Sequence, residues 1–201
     1  MDTARMEAFS DGVIAVALTI MVLGQRVPEG TDFAALLALA PQLLTYILSF
    51  VYVGIYWTNH HHLLQVADRV NGVVLWANLH LLFWLTLIPL TTAWMKENVT
   101  APLPTAIYGI VLLLCGLAYY LFERTLIRLH GRTSSIARAL GADNKTRLSV
   151  LLYALAIPLA FVHAYIADTL YVAVAALWLV PDRRIEASLT RGSPRGPTDH
   201  D

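Results

Sequence analysis

The sequence predicts an all-α membrane protein with six transmembrane helices. Three observations carry this: apolar residues come in blocks long enough to span a bilayer, charge is scarce, and the basic residues fall on alternate loops. Hydrophobic residues make up 57% of the 201 positions and charged residues only 14%, where an ordinary soluble domain carries about 25% charged residues. Mean hydropathy is +0.59. Blocks of this kind, rather than a mixed pattern, point to lipid as the solvent.

Six apolar segments stand out, at residues 9–23, 33–57, 73–94, 104–122, 148–167 and 169–180. A spanning helix needs about 20 residues, within a range of about 17–25. The second to fifth segments meet that length. The first does so by including Ala8 and Gly24 and accepting Ser10 and Asp11. The sixth, 12 residues long, would rise about 18 Å as a helix, so it reads as a half-span or as a crossing that thins the bilayer locally. Turn signals separate the segments. Thr31 or Asp32 is the N-cap candidate before the second. Pro104 opens the fourth, where its missing N–H costs nothing. Residues 131–145 form the longest internal loop, polar and basic. Pro41, Pro89 and Pro158 sit inside apolar segments, where membrane helices tolerate them because neighbours re-satisfy the freed carbonyls. No internal repeat is visible. Residues 1–184 read as one membrane domain, and residues 185–201, rich in Pro, Gly and charge, as a disordered cytoplasmic tail.

Charge placement supports six crossings. They put Arg5, Arg69, Arg124, Arg128, Arg132, Arg138, Lys145, Arg147, Arg183, Arg184, Arg191 and Arg195 on one side, and only Arg26 and Lys96 on the other. A twelve-to-two split is what the positive-inside rule gives for a multi-pass cell-membrane protein with both termini cytoplasmic. Five crossings would leave eight against six. Net charge is zero, with 14 basic and 14 acidic residues, so no bulk attraction to nucleic acid follows. Cys115, the single cysteine, lies in an apolar run and reads as a small buried hydrophobe. The amino-terminal stretch lacks the basic–apolar–small pattern of a cleaved signal peptide.

The most informative stretch is Arg5-Met6-Glu7-Ala8-Phe9-Ser10-Asp11-Gly12. A carboxylate at the start of an apolar helix is expensive in lipid and is usually paired, facing protein or water. Near the helix start the backbone dipole also favours negative charge, so Ser10 and Asp11 equally suit a plain helix cap. Beyond them, Val16, Ile20 and Leu23 fall at i, i+4 and i+7 on one stripe bordered by Thr19. Periodicity alone leaves three roles for that stripe: facing lipid, facing a neighbour, or lining a pore in which apolar rings gate by dewetting. His60, His61 and His62 are consecutive and cannot all face one metal. His80 and His163 lie on apolar segments and could pair as metal or haem ligands, but no Cys/His spacing signature accompanies them. No nucleotide loop, nucleophile elbow or paired-carboxylate pattern is present, so an enzyme is not expected.

Arg5-x-x-x-Phe9-Ser10-Asp11 followed by an apolar helix, with Thr19 eight residues after the Asp, resembles the bacterial branch of the transmembrane protein 175 family, whose animal members are endosomal and lysosomal potassium channels. The likeness continues in order along the chain. Residues 50–62 end in Trp57-Thr58-Asn59-His60-His61-His62, similar to the family's Trp-x-x-His-His. Residues 75–90 hold Trp76, Asn78, Leu81, Leu82, Phe83 and Pro89, and Trp178, Pro181, Arg183 and Arg184 resemble the family's ending. The resemblance implies four six-helix subunits around a central potassium-selective pore lined by helix one, with no carbonyl filter loop. It implies no cofactor beyond the permeating potassium ion. It further implies constriction layers at Val16, Ile20 and Leu23, with Thr19 as a hydroxyl ring. Many relatives carry Ile or Leu where Val16 stands, which leaves Val16, Thr19 and Ile20 as alternatives for the narrowest point. Arg5, Phe9, Ser10 and Asp11, with Trp57, His60, Asn78 and His61 as partners, correspond to the family's packing network at the pore mouth rather than to ion ligands. The competing readings are a proton- or ion-coupled secondary transporter, which would usually show internal repeats, and a small membrane enzyme or haem carrier. The latter would have only Asp11, His80 and His163 inside the bilayer to work with.

Overall fold

Apolar blocks set where the helices run, and proline and glycine set where they break. The computed structural model describes residues 3–131 and 144–179. These residues form eight helices: α1 Thr3–Leu23, α2 Phe33–Ala38, α3 Ala40–Gln65, α4 Gly72–Leu85, α5 Ile88–Glu97, α6 Pro102–His130, α7 Asn144–Ala160 and α8 Ala164–Leu179. Four stretches are long and apolar enough to cross a bilayer: α1, α3, the α4–α5 pair Gly72–Glu97, and α6. The chain is therefore an all-helical, multi-pass membrane protein. The expected tail at residues 185–201, and most of the basic loop with Arg132 and Arg138, lie outside the described residues.

Each boundary has a local cause. Of the two N-cap candidates, Asp32 holds the position, its carboxylate accepting from the Ala35 N–H at 2.9 Å. The second apolar segment divides at Leu39, just ahead of Pro41, and the third divides at Thr86–Leu87, just ahead of Pro89. A proline lacks the N–H and crowds the carbonyl four residues back. At the second break Thr86 and Thr91 hydroxyls bond the carbonyls of Phe83 and Leu87. α6 stops at Gly131, whose φ of 92° lies in the left-handed region open to glycine. α7 and α8 divide at residues 161–163, so Ala164–Ala167, expected in the fifth segment, belong to the last helix. At 16 residues, α8 rises about 24 Å, longer than the sixth apolar segment suggested.

Side-chain contacts fix the directions. Glu7 meets His61 and Asp11 meets Trp57, so α1 and α3 are antiparallel. Asn78 meets His60 and Thr92 meets Ser49, so α4–α5 opposes α3. Tyr108 meets Ser49 while Phe122 stacks on His60, so α6 runs with α3. Ser149 meets Trp178 and Tyr153 meets Tyr171, so α7 opposes α8. α1, α3, α4–α5 and α6 thus alternate in direction, with α2–α3 and α4–α5 each counted as one, and α7 and α8 oppose each other.

α6 forms the centre, packing on α4, α5, α7 and α8. Leu112, Cys115, Ala118, Phe122 and Leu126 are fully buried along it. Helices in lipid gain nothing from apolar burial against one another, so close packing and buried hydrogen bonds hold them. Ala156, Ala160, Ala164 and Ala167 bring α7 and α8 together. Hydroxyls tie the rest. Ser49 donates to the Thr45 carbonyl and lies 3.0 Å from the Tyr108 hydroxyl. The Tyr52 hydroxyl donates to the Tyr171 carbonyl at 2.6 Å, and the Tyr171 hydroxyl donates to the Thr105 carbonyl at 3.1 Å. Gly109 makes room for that last contact, since a Cβ there would stand 2.0 Å from the Tyr171 oxygen. Gly109→Ala is therefore expected to push Tyr171 off Thr105 and destabilise the fold by about 1–3 kcal/mol. Thermal unfolding in detergent reads this as a lowered Tm, and an unchanged Tm would show that the α6–α8 contact yields easily.

Candidate functional site

α1 presents two unlike faces. Met6, Ser10, Ile14, Ala17 and Met21 recur at helical spacing and are buried against α3, α4 and α5. The opposite face carries the predicted stripe: Val16, Ile20 and Leu23 are 58%, 54% and 78% exposed. Phe9, Gly12 and Thr19 are exposed as well. Leu18 is only partly exposed and packs toward the core. The Thr19 hydroxyl donates to the Ala15 carbonyl at 2.8 Å. Its single proton is thereby used, so its oxygen offers only lone pairs to anything outside the helix.

The amino-terminal half of α1 is held by a directional chain of buried hydrogen bonds. The Ser10 hydroxyl donates to the Met6 carbonyl at 2.8 Å and accepts the Asn78 amide N–H at 2.9 Å. With its nitrogen committed, Asn78 must accept through Oδ1, which lies 2.8 Å from His60 Nε2. His60 therefore carries its proton on Nε2. Its Nδ1 is buried and unpartnered, while its ring stacks on Phe122 with centroids 5.3 Å apart. A second layer lies nearer the surface. The Trp57 indole N–H donates to Asp11 Oδ1 at 2.9 Å. Trp57 stacks on His61, whose Nδ1 lies 2.6 Å from Glu7 and whose Nε2 lies 2.8 Å from Gln65. Ser10, Asp11, Trp57, His60 and Asn78 thus come together, with His61 beside them. Arg5 and Phe9 stay on the exposed side of α1, outside this network. Glu7 and Gln65 were missed in the sequence reading, although Glu7 precedes Asp11 by one helical turn.

A different residue holds the far end of α1. Lys96, only 2% exposed, donates from Nζ to the Gly24 carbonyl. The Gln25 side chain caps the Met21 carbonyl at 2.8 Å, and the Gln25 N–H bonds the Val22 carbonyl at 3.0 Å. Arg26 and Glu97 pair at 3.1 Å on the exposed rim. Lys96 entered the sequence reading only as a loop charge, because burial is not legible from one basic residue. Of the remaining histidines, His80 accepts the Trp84 indole N–H at 3.0 Å and His163 lies beside Tyr165. Among the described residues no three His, Cys, Asp or Glu side chains gather to hold a metal.

A membrane bundle whose first helix is clamped at both ends and bare along one apolar face defines a class, that of multi-pass helical membrane proteins with an apolar helix face left for lipid, a neighbour or a pore. Comparison with known proteins carries this further. Residues 5–89 match the family profile described as the endosomal/lysosomal potassium channel TMEM175. A potassium channel of a Chryseobacterium species (strain P1-3) is 49% identical over 189 residues, covering 94% of this chain and 98% of that protein. A potassium channel of Streptomyces collinus is 31% identical, covering 81% and 84%. The crystal structure of a lysosomal potassium-selective channel TMEM175 homologue from Chamaesiphon minutus superposes with a TM-score of 0.75 at 27% identity, covering 89% of this chain and 96% of that one. The chain belongs to the TMEM175 potassium-channel family, a family of channels and not of enzymes.

The two layers of the amino-terminal network differ in burial, and their substitutions should differ with them. Asn78 is 1% exposed. Asn78→Leu strands the His60 N–H and removes the donor to Ser10, a destabilisation of about 1–3 kcal/mol. The Asp11–Trp57 bond is solvent-accessible, so within the chain itself Asp11→Ala should cost less. Tm values of the two variants in detergent check the order, and a larger loss at Asp11 would overturn it.

Proposed function

We propose that this protein is the subunit of a homotetrameric, potassium-selective cation channel in the cell membrane, with α1 of each subunit lining the central pore. The observation that carries the reading is the bare face of α1. Val16, Ile20 and Leu23, with Thr19 beside them, make no use of the subunit's own core, while the opposite face is packed and pinned. Four such faces around an axis make stacked apolar rings and one ring of hydroxyl oxygens turned outward as acceptors. The named relatives support potassium as the permeating ion.

The chemistry follows from hydration. A narrow apolar ring offers no ligands in place of the water an ion must shed, so it excludes ions with firmly held water. Potassium gives up water more cheaply than sodium, and a tight apolar ring therefore favours it. The Thr19 oxygens can take up part of the lost hydration beside that ring. On this reading Ser10, Asp11, Trp57, His60 and Asn78 hold the helix in place and do not bind the ion. Asp11→Ala should therefore lower tetramer yield and leave potassium preference nearly unchanged in the channels that assemble. The alternating helix directions support six crossings, and the basic residues on alternate loops support cytoplasmic termini.

Planar-bilayer recordings of purified protein test the pore. Ile20→Asn is expected to raise current, and Val16→Ala and Thr19→Ala to weaken the preference for potassium over sodium, read as a shift in reversal potential. A matched change at Leu18 should do neither. Equal effects at Leu18 and Ile20, or no change at any of the four positions, would remove α1 from the pore.

A further inference from the structure

We propose that the cavity between α3 and the α6–α8 group binds a small, neutral aromatic molecule carrying a single N–H or O–H. The cavity measures about 500 Å³ including its open mouth. α3 lends it Tyr52 and Tyr56, α6 lends Gly116 and Tyr119, α7 lends Tyr153 and α8 lends Trp178. Rings hold α3 and α6 apart here. Tyr56 meets Tyr119 edge-on with centroids 6.1 Å apart, and one turn further along α3 the His60 ring stacks on Phe122. The wedge that these rings prop open therefore lies one helical turn from the His60–Asn78 contact that pins α1.

The walls select the ligand. They are largely apolar and aromatic with a few polar groups, the usual make-up of a small-molecule site. Most of those polar groups are already spent. The Tyr52 hydroxyl donates to the Tyr171 carbonyl at 2.6 Å. The Trp178 N–H donates to Ser149 Oγ at 2.8 Å, and that hydroxyl donates to the Lys145 carbonyl at 2.9 Å. Asn59 donates to the Ile55 carbonyl at 2.8 Å. The Tyr56 and Tyr119 hydroxyls have no hydrogen-bond partner among the described residues. The Tyr56 oxygen faces the gap left by Gly116, where a Cβ would stand 3.6 Å from it. A lipid chain would leave both hydroxyls unmatched, and the bilayer core offers them no other partner. Water could bond the hydroxyls but would find no partners along the apolar walls. A flat ring with one N–H or O–H answers both, lying against the tyrosine and tryptophan rings and bonding a tyrosine oxygen. The lining holds no charged side chain, so a charged ligand would be desolvated without compensation.

The probe is indole, with indene as the molecule of the same shape that lacks the N–H. Thermal unfolding of the purified protein in detergent is followed against probe concentration. Indole should raise the Tm in a saturable way, because it binds the folded state. Gly116→Leu, which places a side chain in the cavity, should remove that shift. Tyr56→Phe combined with Tyr119→Phe keeps both rings and removes both hydroxyls. It should weaken indole binding about three- to tenfold and leave indene binding unchanged. Each variant decides the matter where the other fails to fold. The proposal is overturned by a wild type without a saturable shift, by an equal shift in Gly116→Leu, or by a double variant that weakens both probes alike or neither. A phospholipid is the competing occupant. Dioleoylphosphatidylglycerol added to delipidated protein would then abolish the indole shift, and the cavity would belong to a lipid chain.

Discussion

The Asn78 amide is the contact on which the placement of α1 depends. Lipid supplies no hydrogen-bond partners, so every polar group carried into the bundle must be satisfied within it. Asn78 has one donor and one acceptor committed in a fixed sense, to Ser10 and from His60. Reversing the amide would set its oxygen against a serine that has already spent its proton on the Met6 carbonyl. One rotamer of one residue therefore fixes the rotation of α1 relative to both α3 and α4. Once Ser10 faces inward, Ile14, Ala17 and Met21 follow it into the core by helical periodicity, and Val16, Ile20 and Leu23 are turned outward.

The rest of the fold supplies rigidity behind that arrangement. α6 is buried along its length, and the alanine-lined α7–α8 pair packs against it and against itself. His60 belongs to both systems, since its Nε2 reaches Asn78 while its ring lies on Phe122 of α6. The amino end of α1 is thus connected through two residues to the most buried helix. α1 makes no comparable contact with α6, and its outer face is left to whatever it meets beyond this chain.

Much of this was legible in the sequence, and the illegible part has physical reasons. Hydropathy blocks gave the membrane class and the order of the helical segments, and the acceptor chemistry of Asp32 marked one true helix start. The breaks at Leu39 and Thr86–Leu87 were hidden because apolar character runs through them unchanged, and only the prolines two or three positions later register there. The α7–α8 boundary was misplaced because Phe161 and Val162 are as apolar as the helices they separate. In the site, spacing collected Val16, Ile20 and Leu23 on one stripe but could not say which way the stripe faces, since lipid, protein and pore accept the same side chains. Glu7 and Lys96 went unseen because their roles depend on partners 54 and 72 residues away.

The two clamps on α1 also explain why one is short and the other long. α1 and the α4–α5 pair run in the same direction, joined at Ser10–Asn78 and again at Gly24–Lys96. Between the clamps α1 spans 14 residues, about 21 Å, while α4–α5 spans 18 residues, about 27 Å if it were one straight helix. The longer path must tilt, shorten at the Thr86–Leu87 break, or overshoot the end of α1. Near Ser10 the helices are in register and a short asparagine suffices. At the far end the mismatch falls on the last side chain, and a lysine, with its long flexible stem, can reach back to a carbonyl that a shorter donor at the same position would miss. The break ahead of Pro89 and the choice of lysine at position 96 thus answer the same constraint, two unequal lengths of helix tied together at both ends.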